Sequence, residues 1–326
     1  MTLQDTLKSK DTEEWIDLVF YRPIGYCWAL LFKKINVTPN TVSILSIFMG
    51  ILAGVLFYYS DLWLNVAGMI LLVWANSYDS ADGQLARMTG NYSRLGRLLD
   101  GLASSIWFVA IYVAICWRLM PVWGFYIWPL AVVSGYFHSK QAAMADYLRN
   151  FHLLFVKEKH RSELDDSAEL EKLFQLLTWK KNFIEKLFIV FYVSYTKEQE
   201  RWTPRLQAFR KTLAEQSLKD AIHPDNSTAA STEAVPLTDS TAASTEAVRM
   251  DELREAFRKA SRPMMKYTNI LSFNTRAIAL FISLFVGFPW AYFLFELTVM
   301  NMLLIYMLYK YEAICEKFTF RLRGND

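Results

Sequence analysis

Apolar runs separated by short polar connections dominate the chain, and their lengths predict its elements. Val42 to Tyr59, Leu62 to Asp79, Arg97 to Trp117 and a stretch from about Pro121 through Gly135 to Tyr147 each approach the roughly 20 residues that a helix needs to cross a bilayer. Thr38-Pro39-Asn40-Thr41 supplies a helix entry ahead of the first run, with proline where the first turn tolerates it. The last apolar region, Ala277 to Tyr309, is long for one span and short for two. Gly287-Phe288-Pro289 near its middle predicts a tight hairpin of two helices. The pattern therefore predicts an all-α integral membrane fold with six transmembrane helices.

Two segments break this regularity. Asp11-Thr12-Glu13-Glu14 reads as a helix start, and the following Trp15 to Ile35 mixes large aromatics with Arg22, Lys33 and Lys34 around Pro23. That is too interrupted to span, and predicts an interfacial helix lying on the membrane. Between residues 151 and 268 lies a charged insert. Glu163 to Leu177 and Asp251 to Arg262 have amphipathic periodicity, while Asn182 to Tyr195 is apolar but short and is expected at the interface or packed on the insert. Inside it STAASTEAV occurs twice, at Ser227 to Val235 and Ser240 to Val248. Small polar repeats cannot bury a core, so a disordered linker is expected over about 223–250. The domain plan is residues 1–37 as the N-terminal interfacial segment, 38–150 as spans one to four, 151–268 as a cytoplasmic helical insert, and 269–326 as spans five and six with a tail.

Composition agrees with a membrane protein: 53% of the 326 residues are hydrophobic and 16% aromatic. A net charge of only +3 gives no support to a nucleic-acid partner. Cys27, Cys116 and Cys315 are scattered and read as packing residues. The polar start MTLQDTLKSKDTEEW lacks the apolar core of a cleavable signal. No Lys or Arg lies between Tyr58 and Asn65, and only Arg118 between Cys116 and Trp123, whereas Arg87, Arg94 and Arg97 follow the second span. Positive residues stay on the cytoplasmic side, which places both termini and the 79–104 region there.

That region carries the candidate chemistry. Asp79 and Asp82 end one apolar run and Asp100 opens the next. Carboxylates are expensive in or near lipid, and an i, i+3 spacing puts the first two on one helical face. With Asp100 they form a candidate oxygen-only site for a hard divalent cation, Mg2+ or Mn2+.

The same residues, with Gly83, Ala86, Arg87 and Gly96 in register, closely resemble the signature of the CDP-alcohol phosphotransferase (CDP-alcohol phosphatidyltransferase) family, and the Thr38-Pro39-Asn40 turn is similar too. The resemblance implies attack of an alcohol on the phosphate of a CDP-linked donor with release of CMP, assisted by two metal ions roughly 4 Å apart. It implies Asp79, Asp82 and Asp100 as metal ligands, Gly83 and Ala86 as room for the nucleotide, Arg87 as a phosphate fork and Gly96 as a close passage. The family's final acidic position is Ser104 here. Serine is a poor base, and loss of a positioned base costs about 10² to 10⁴ in rate. A hydroxide at the metal, the substrate's own phosphate or another side chain must then take the proton, or the protein binds nucleotide without turnover. His138 is the candidate replacement. With Lys140, Gln141, Asp146 and Arg149, and with Arg276 near the fifth span, it is also a candidate for binding the acceptor; Lys140, Arg149 and Arg276 equally suit anchors at a span's end, as Arg94 and Arg97 do.

The expected activity is transfer of a substituted phosphate from a CDP-activated lipid, CDP-diacylglycerol, to a polar alcohol or alcohol phosphate such as inositol phosphate. Membrane lipids and a homodimer are the further partners that the resemblance implies. The competing class is a non-catalytic relative that binds CDP or lipid in a regulatory or scaffold role. A transporter would instead scatter polar residues at the midplane of several spans.

Overall fold

The computed structural model describes residues 11–156, 166–180, 182–222 and 251–324. Among these residues every regular element is helical. They divide into two compact units, Met1–Ala145 with Lys266–Leu304, and Asp146–Met265 with Ile305–Asp326. The two repeats, the linker around them and the start of the helix expected from Glu163 lie outside the described residues.

The first unit opens with a π-helical turn, Asp17–Tyr21, that runs directly into α1, Arg22–Lys34. Thr38 caps α2, Pro39–Phe57: its hydroxyl accepts from the Thr41 N–H at 3.3 Å, and Pro39 takes the first helical position, where a missing N–H costs nothing. Asp61 caps α3, Leu62–Thr89, in the same way through the Leu64 N–H. The connection after Asp79 is therefore mostly helix rather than loop. Ala81 and Leu85 on α3 pack with Ala29 and Phe32 of α1 and Val42 of α2, so burial carries the helix on to Gly90, whose φ of 68° ends it in the left-handed region.

α4, Arg94–Trp123, and α5, Ile127–Leu153, follow. Pro121 does not begin the fourth span as predicted. It sits in the last turns of α4, and the reversal comes at Gly124, φ 58°. The predicted hairpin is present: α11, Phe273–Phe285, turns through Gly287 into α12, Trp290–Phe295, which passes through a second π-helical turn, Glu296–Met300, into α13, Asn301–Leu322. Four helical stretches among the described residues are long and apolar enough to cross a membrane: Pro39–Phe57, Leu99–Leu153, Asp251–Phe285 and Trp290–Leu322. Leu99–Leu153 holds most of α4 and all of α5 across a single helical turn. α3 is not among them; its apolar run carries Asn65, Asn76 and Asp79.

Small residues set how closely α2 and α4 approach. A Cβ on Gly50 would lie 2.0 Å from Trp107 Cδ1, and one on Gly54 would lie 3.0 Å from the Ala110 backbone. This is the small-xxx-small seam by which helices pack tightly where apolar surface gives no preference for neighbour over lipid. Deeper in the same unit a buried ion pair crosses the bundle. Arg276 Nη1 donates to both Glu296 oxygens at 3.0 and 2.8 Å, and its Nη2 donates to Gln141 Oε1 at 3.0 Å. Tyr292 donates to the same carboxylate at 2.6 Å. A charged pair this buried persists only when its remaining donors and acceptors are filled, and here the Leu271 carbonyl and Asn301 complete it.

In the second unit α6, Ser167–Leu176, α7, Phe183–Trp202, and α8, Pro204–Ile222, precede a helix over 251–261, here α9, and a short α10, Met265–Ile270, begins where the chain returns to the first. The apolar segment expected at Asn182 to Tyr195 is the first part of α7, which runs on to Trp202. Phe151, Phe155, Phe209, Phe257 and Phe318 form the core of this unit, with Phe155 and Phe257 centroids 4.2 Å apart. Glu312 accepts from the first N–H groups of α8, Arg205 at 2.8 Å and Leu206 at 3.0 Å, meeting the donors a helix leaves open at its start.

The seam in the first unit is testable against an internal control. Gly50→Ala forces Trp107 to move and is expected to cost about 1–3 kcal/mol. Gly101→Ala on exposed α4 backbone, where a Cβ meets nothing within 4 Å, is expected to gain about 0.5–1 kcal/mol. Thermal unfolding in detergent should show Tm falling for the first and holding or rising for the second.

Candidate active site

The site forms where α3 ends and α4 begins. Asp79 and Asp82 lie one turn apart on α3, Asp100 lies in the second turn of α4, and one oxygen from each falls within 4.8 Å of the others. Asp82 is buried at 3% exposure, Asp79 is half-buried and Asp100 is exposed.

Two contacts from the first turns of α2 fix this convergence. Asn40 Oδ1 accepts from Ser93 Oγ at 2.8 Å, while the same Ser93 Oγ accepts from the Gly96 N–H at 2.8 Å and so caps α4. The Thr-Pro-Asn turn thus holds the start of the helix that carries Asp100. A Cβ on Gly96 would lie 2.5 Å from Asn40 Oδ1, so glycine is what lets the two helix starts meet. One turn further along α2, the Ser43 hydroxyl donates to Asp82 Oδ2. That bond aims a buried carboxylate and supplies the polar partner it needs.

An open cavity of about 620 Å³, its mouth included, lies over the cluster. Asp79, Asp100, Gly83 and Arg87 line it together with Asn76 and Ser80 of α3, and Asp17, Tyr21 and Arg22 of the N-terminal segment close another side. Asp79 Oδ1 and Arg87 Nε are both buried without a hydrogen-bond partner. Buried polar atoms are nearly always paired, so one orphaned acceptor and one orphaned donor in a single cavity mark places for a cation and an anion. Three close carboxylates repel each other, on the order of 3 kcal/mol for a pair at this separation in an effective dielectric of about 20, and a divalent ion would relieve that. The donor set is all oxygen, suiting Mg2+ or Mn2+ over softer metals; Asp79, Asp82 and Asp100 would hold it. Burial, and next the Arg22 guanidinium, draw Arg87 below the ordinary arginine value, while burial pushes the Tyr21 phenol up.

The other expected site residues are distributed as follows. Ala86 is half-buried on α3, and Ser104 is half-buried one turn beyond Asp100 on the same helix. His138, Gln141 and Arg276 are buried in the Glu296 network: Tyr112 Oη lies 3.2 Å and Glu296 Oε1 3.4 Å from His138 Nδ1, and Gln141 donates to Asn301 at 2.8 Å. None of the three lines the cavity. Lys140 lies over the Tyr136 ring at 5.1 Å, and Arg149 is half-buried in the second unit.

Ser43, Asn76, Ser80 and the site roles of the N-terminal trio Asp17, Tyr21 and Arg22 escaped the sequence reading, which had Asn40 only as part of a helix entry resembling the family's. For the N-terminal trio a signal was present, since acids and an arginine recur beside Glu13 and Glu14 at helical spacing.

Ser43→Ala is expected to weaken Mn2+ binding about 10- to 100-fold, as loss of a partner behind a metal ligand does. Ser43→Thr should recover most of it, and an electron paramagnetic resonance titration of Mn2+ in detergent reads both.

Residues 36–144 match the sequence model of the CDP-alcohol phosphatidyltransferase family. Over 157 residues, 47% of this chain, the sequence is 24% identical to the "Bifunctional IPC transferase and DIPP synthase" of Aquifex aeolicus (strain VF5), and the match spans 35% of that relative's length. No solved structure matches the chain. The matched region contains all three clustered carboxylates, Arg87 and the Thr-Pro-Asn turn that holds them in place, and the chain accordingly carries a CDP-alcohol phosphatidyltransferase domain at residues 36–144.

Proposed function

We propose that this protein is a membrane phosphotransferase of phospholipid synthesis that moves a substituted phosphate from CDP-diacylglycerol to a polar alcohol phosphate, inositol phosphate being the expected acceptor, and releases CMP. The observation that carries the reading is the convergence of Asp79, Asp82 and Asp100 within 4.8 Å, with Asp79 and Asp100 lining one open cavity beside Arg87. The apolar runs suggest six spans and the charge pattern supports both termini and this cavity on the cytoplasmic side, while an interfacial N-terminal helix agrees with the exposed Trp15, Val19, Phe20, Leu30 and Leu31.

In the reaction the acceptor oxygen forms a bond to the donor phosphorus, the bond from that phosphorus to CMP breaks, and the alcohol's proton must go to a base. Divalent ions held by the three aspartates would neutralise the charge on the pyrophosphate. Arg87 offers its donors to phosphate oxygens. For the proton we assign Asp17. It lines the cavity, is not one of the clustered trio, and accepts from Asn274 Nδ2 at 3.0 Å, which holds its carboxylate in place. His138 is engaged with Tyr112 and Glu296 instead. Ser104 favours a second reading, a nucleotide-binding relative without turnover, because the hydroxyl stands where the family has an acid.

The assay is CMP release by the purified protein with CDP-diacylglycerol, Mg2+ or Mn2+, and a panel of alcohols and alcohol phosphates. Acceptor-dependent CMP is expected from the wild type and none from Asp79→Asn. Asp17→Asn should lower kcat about 10²- to 10⁴-fold with Mn2+ affinity kept; an unchanged kcat removes Asp17 from this role. A silent wild type with an active Ser104→Asp variant would establish the second reading.

A further inference from the structure

The cavity is bipolar in a way that the three aspartates and Arg87 do not account for. Arg22 lines it from the N-terminal segment and brings a second guanidinium into a space that already holds Arg87. Arg22 is not loose there. Its Nε donates to Glu13 Oε2 at 3.1 Å and its Nη2 to Glu13 Oε1 at 2.9 Å, a side-on pair with Glu13 only 5% exposed. The backbone is tied down as well: Gln84 Nε2 on α3 donates to the Arg22 carbonyl at 3.2 Å. Gly25, one turn on, approaches α3 so closely that a Cβ would lie 2.9 Å from both Gln84 Nε2 and Ser80 Oγ.

A side-on pair uses Nε and one Nη, and leaves the other Nη group of a five-donor fork without a partner among the described residues. Two guanidiniums in one cavity repel each other, and Arg87 registers Arg22 as an unfavourable neighbour. The Glu13 pair and the nearby Asp79 carboxylate offset that repulsion on the Arg22 side, and an anion of more than one charge between the two guanidiniums would use both.

We propose that Arg22, oriented by Glu13, is a second phosphate-binding arginine that makes the N-terminal segment a wall of the substrate site. The proposal rests on the functional reading above. It assigns to Arg22 the phosphate oxygens that Arg87 leaves uncovered, whether they belong to the donor's pyrophosphate or to a phosphorylated acceptor. Glu13 is then a positioning residue: it touches the guanidinium and fixes its plane, so that less side-chain entropy is lost when phosphate binds.

The experiment measures binding of cytidine, CMP and CDP to the detergent-purified protein in Mg2+ by calorimetry, alongside KM for phosphorylated and unphosphorylated acceptors and the Tm of each variant. If the donor is the source, Arg22→Gln weakens CDP about tenfold or more, the scale of one charge-assisted hydrogen bond, weakens CMP less, and leaves cytidine unchanged. If the acceptor is the source, Arg22→Gln raises KM only for the phosphorylated acceptors. In either case Arg22→Lys is intermediate, and Glu13→Gln shows the same selectivity at smaller size. A purely structural peg predicts a different result, with Tm lowered alike in Arg22→Gln and Glu13→Gln and all ligands weakened in parallel; that outcome overturns the proposal, as do wild-type CDP affinity and wild-type KM in Arg22→Gln. A wild type that binds no cytidine nucleotide and releases no CMP overturns the functional reading, and this proposal with it.

Discussion

Three carboxylates held against one another at the end of an apolar helix are costly to assemble, and much of the first unit can be understood as what holds them there. Asp79 and Asp82 come together for free, because α3 continues as a helix past its apolar run. Asp100 must be brought from another helix. The Asn40 to Ser93 bond fixes where α4 begins, and the Gly50 seam fixes how close α4 lies to α2. Ser43 then satisfies the most buried of the three. Remove the repulsion between these carboxylates and nothing in the fold requires so many polar contacts in so few residues; retain it, and a cation becomes the natural completion.

The opposite side of the cavity follows the same logic with the charge inverted. Arg87 has a buried donor without a partner, and Arg22 is pressed toward it by a segment whose backbone is locked on α3. A cavity with an acidic floor and a cationic wall suits a ligand that carries phosphate and binds with a metal, as a CDP-linked donor would. The Arg276 and Glu296 pair is a separate matter. Its groups are satisfied by one another, so it ties α5, α11 and the last helix together rather than offering charge to a substrate.

What the sequence revealed and what it hid divide along physical lines. The clustering of the three aspartates was legible because their spacing is local: i, i+3 on one helix and a third acid opening the next apolar run. The hairpin at Gly287 was legible for the same reason. The extent of α3 was not, since residues 80–89 carry enough polar groups to read as a loop and are held helical by packing on α1 and α2. Arg276, His138 and Gln141 looked like acceptor ligands because polar groups in a span usually serve function. Glu296, set within the last apolar region, was the missing partner, and pairing it with Arg276 would have suggested a structural network. For the N-terminal wall the helical spacing of its acids and Arg22 was visible, but not its place in the site, which depends on a long-range approach, Gly25 against Ser80 and Gln84.

The central claim is that the three aspartates and the arginine side of the cavity bind one metal-nucleotide complex. A structure of the wild-type protein with Mn2+ and CDP, with the metal located by its anomalous scattering, tests it most directly. The expected result is manganese ligated by Asp79, Asp82 and Asp100, with the CDP phosphates between it and Arg87. Manganese bound away from these carboxylates at saturating concentration, or CDP seated outside this cavity, would contradict the account.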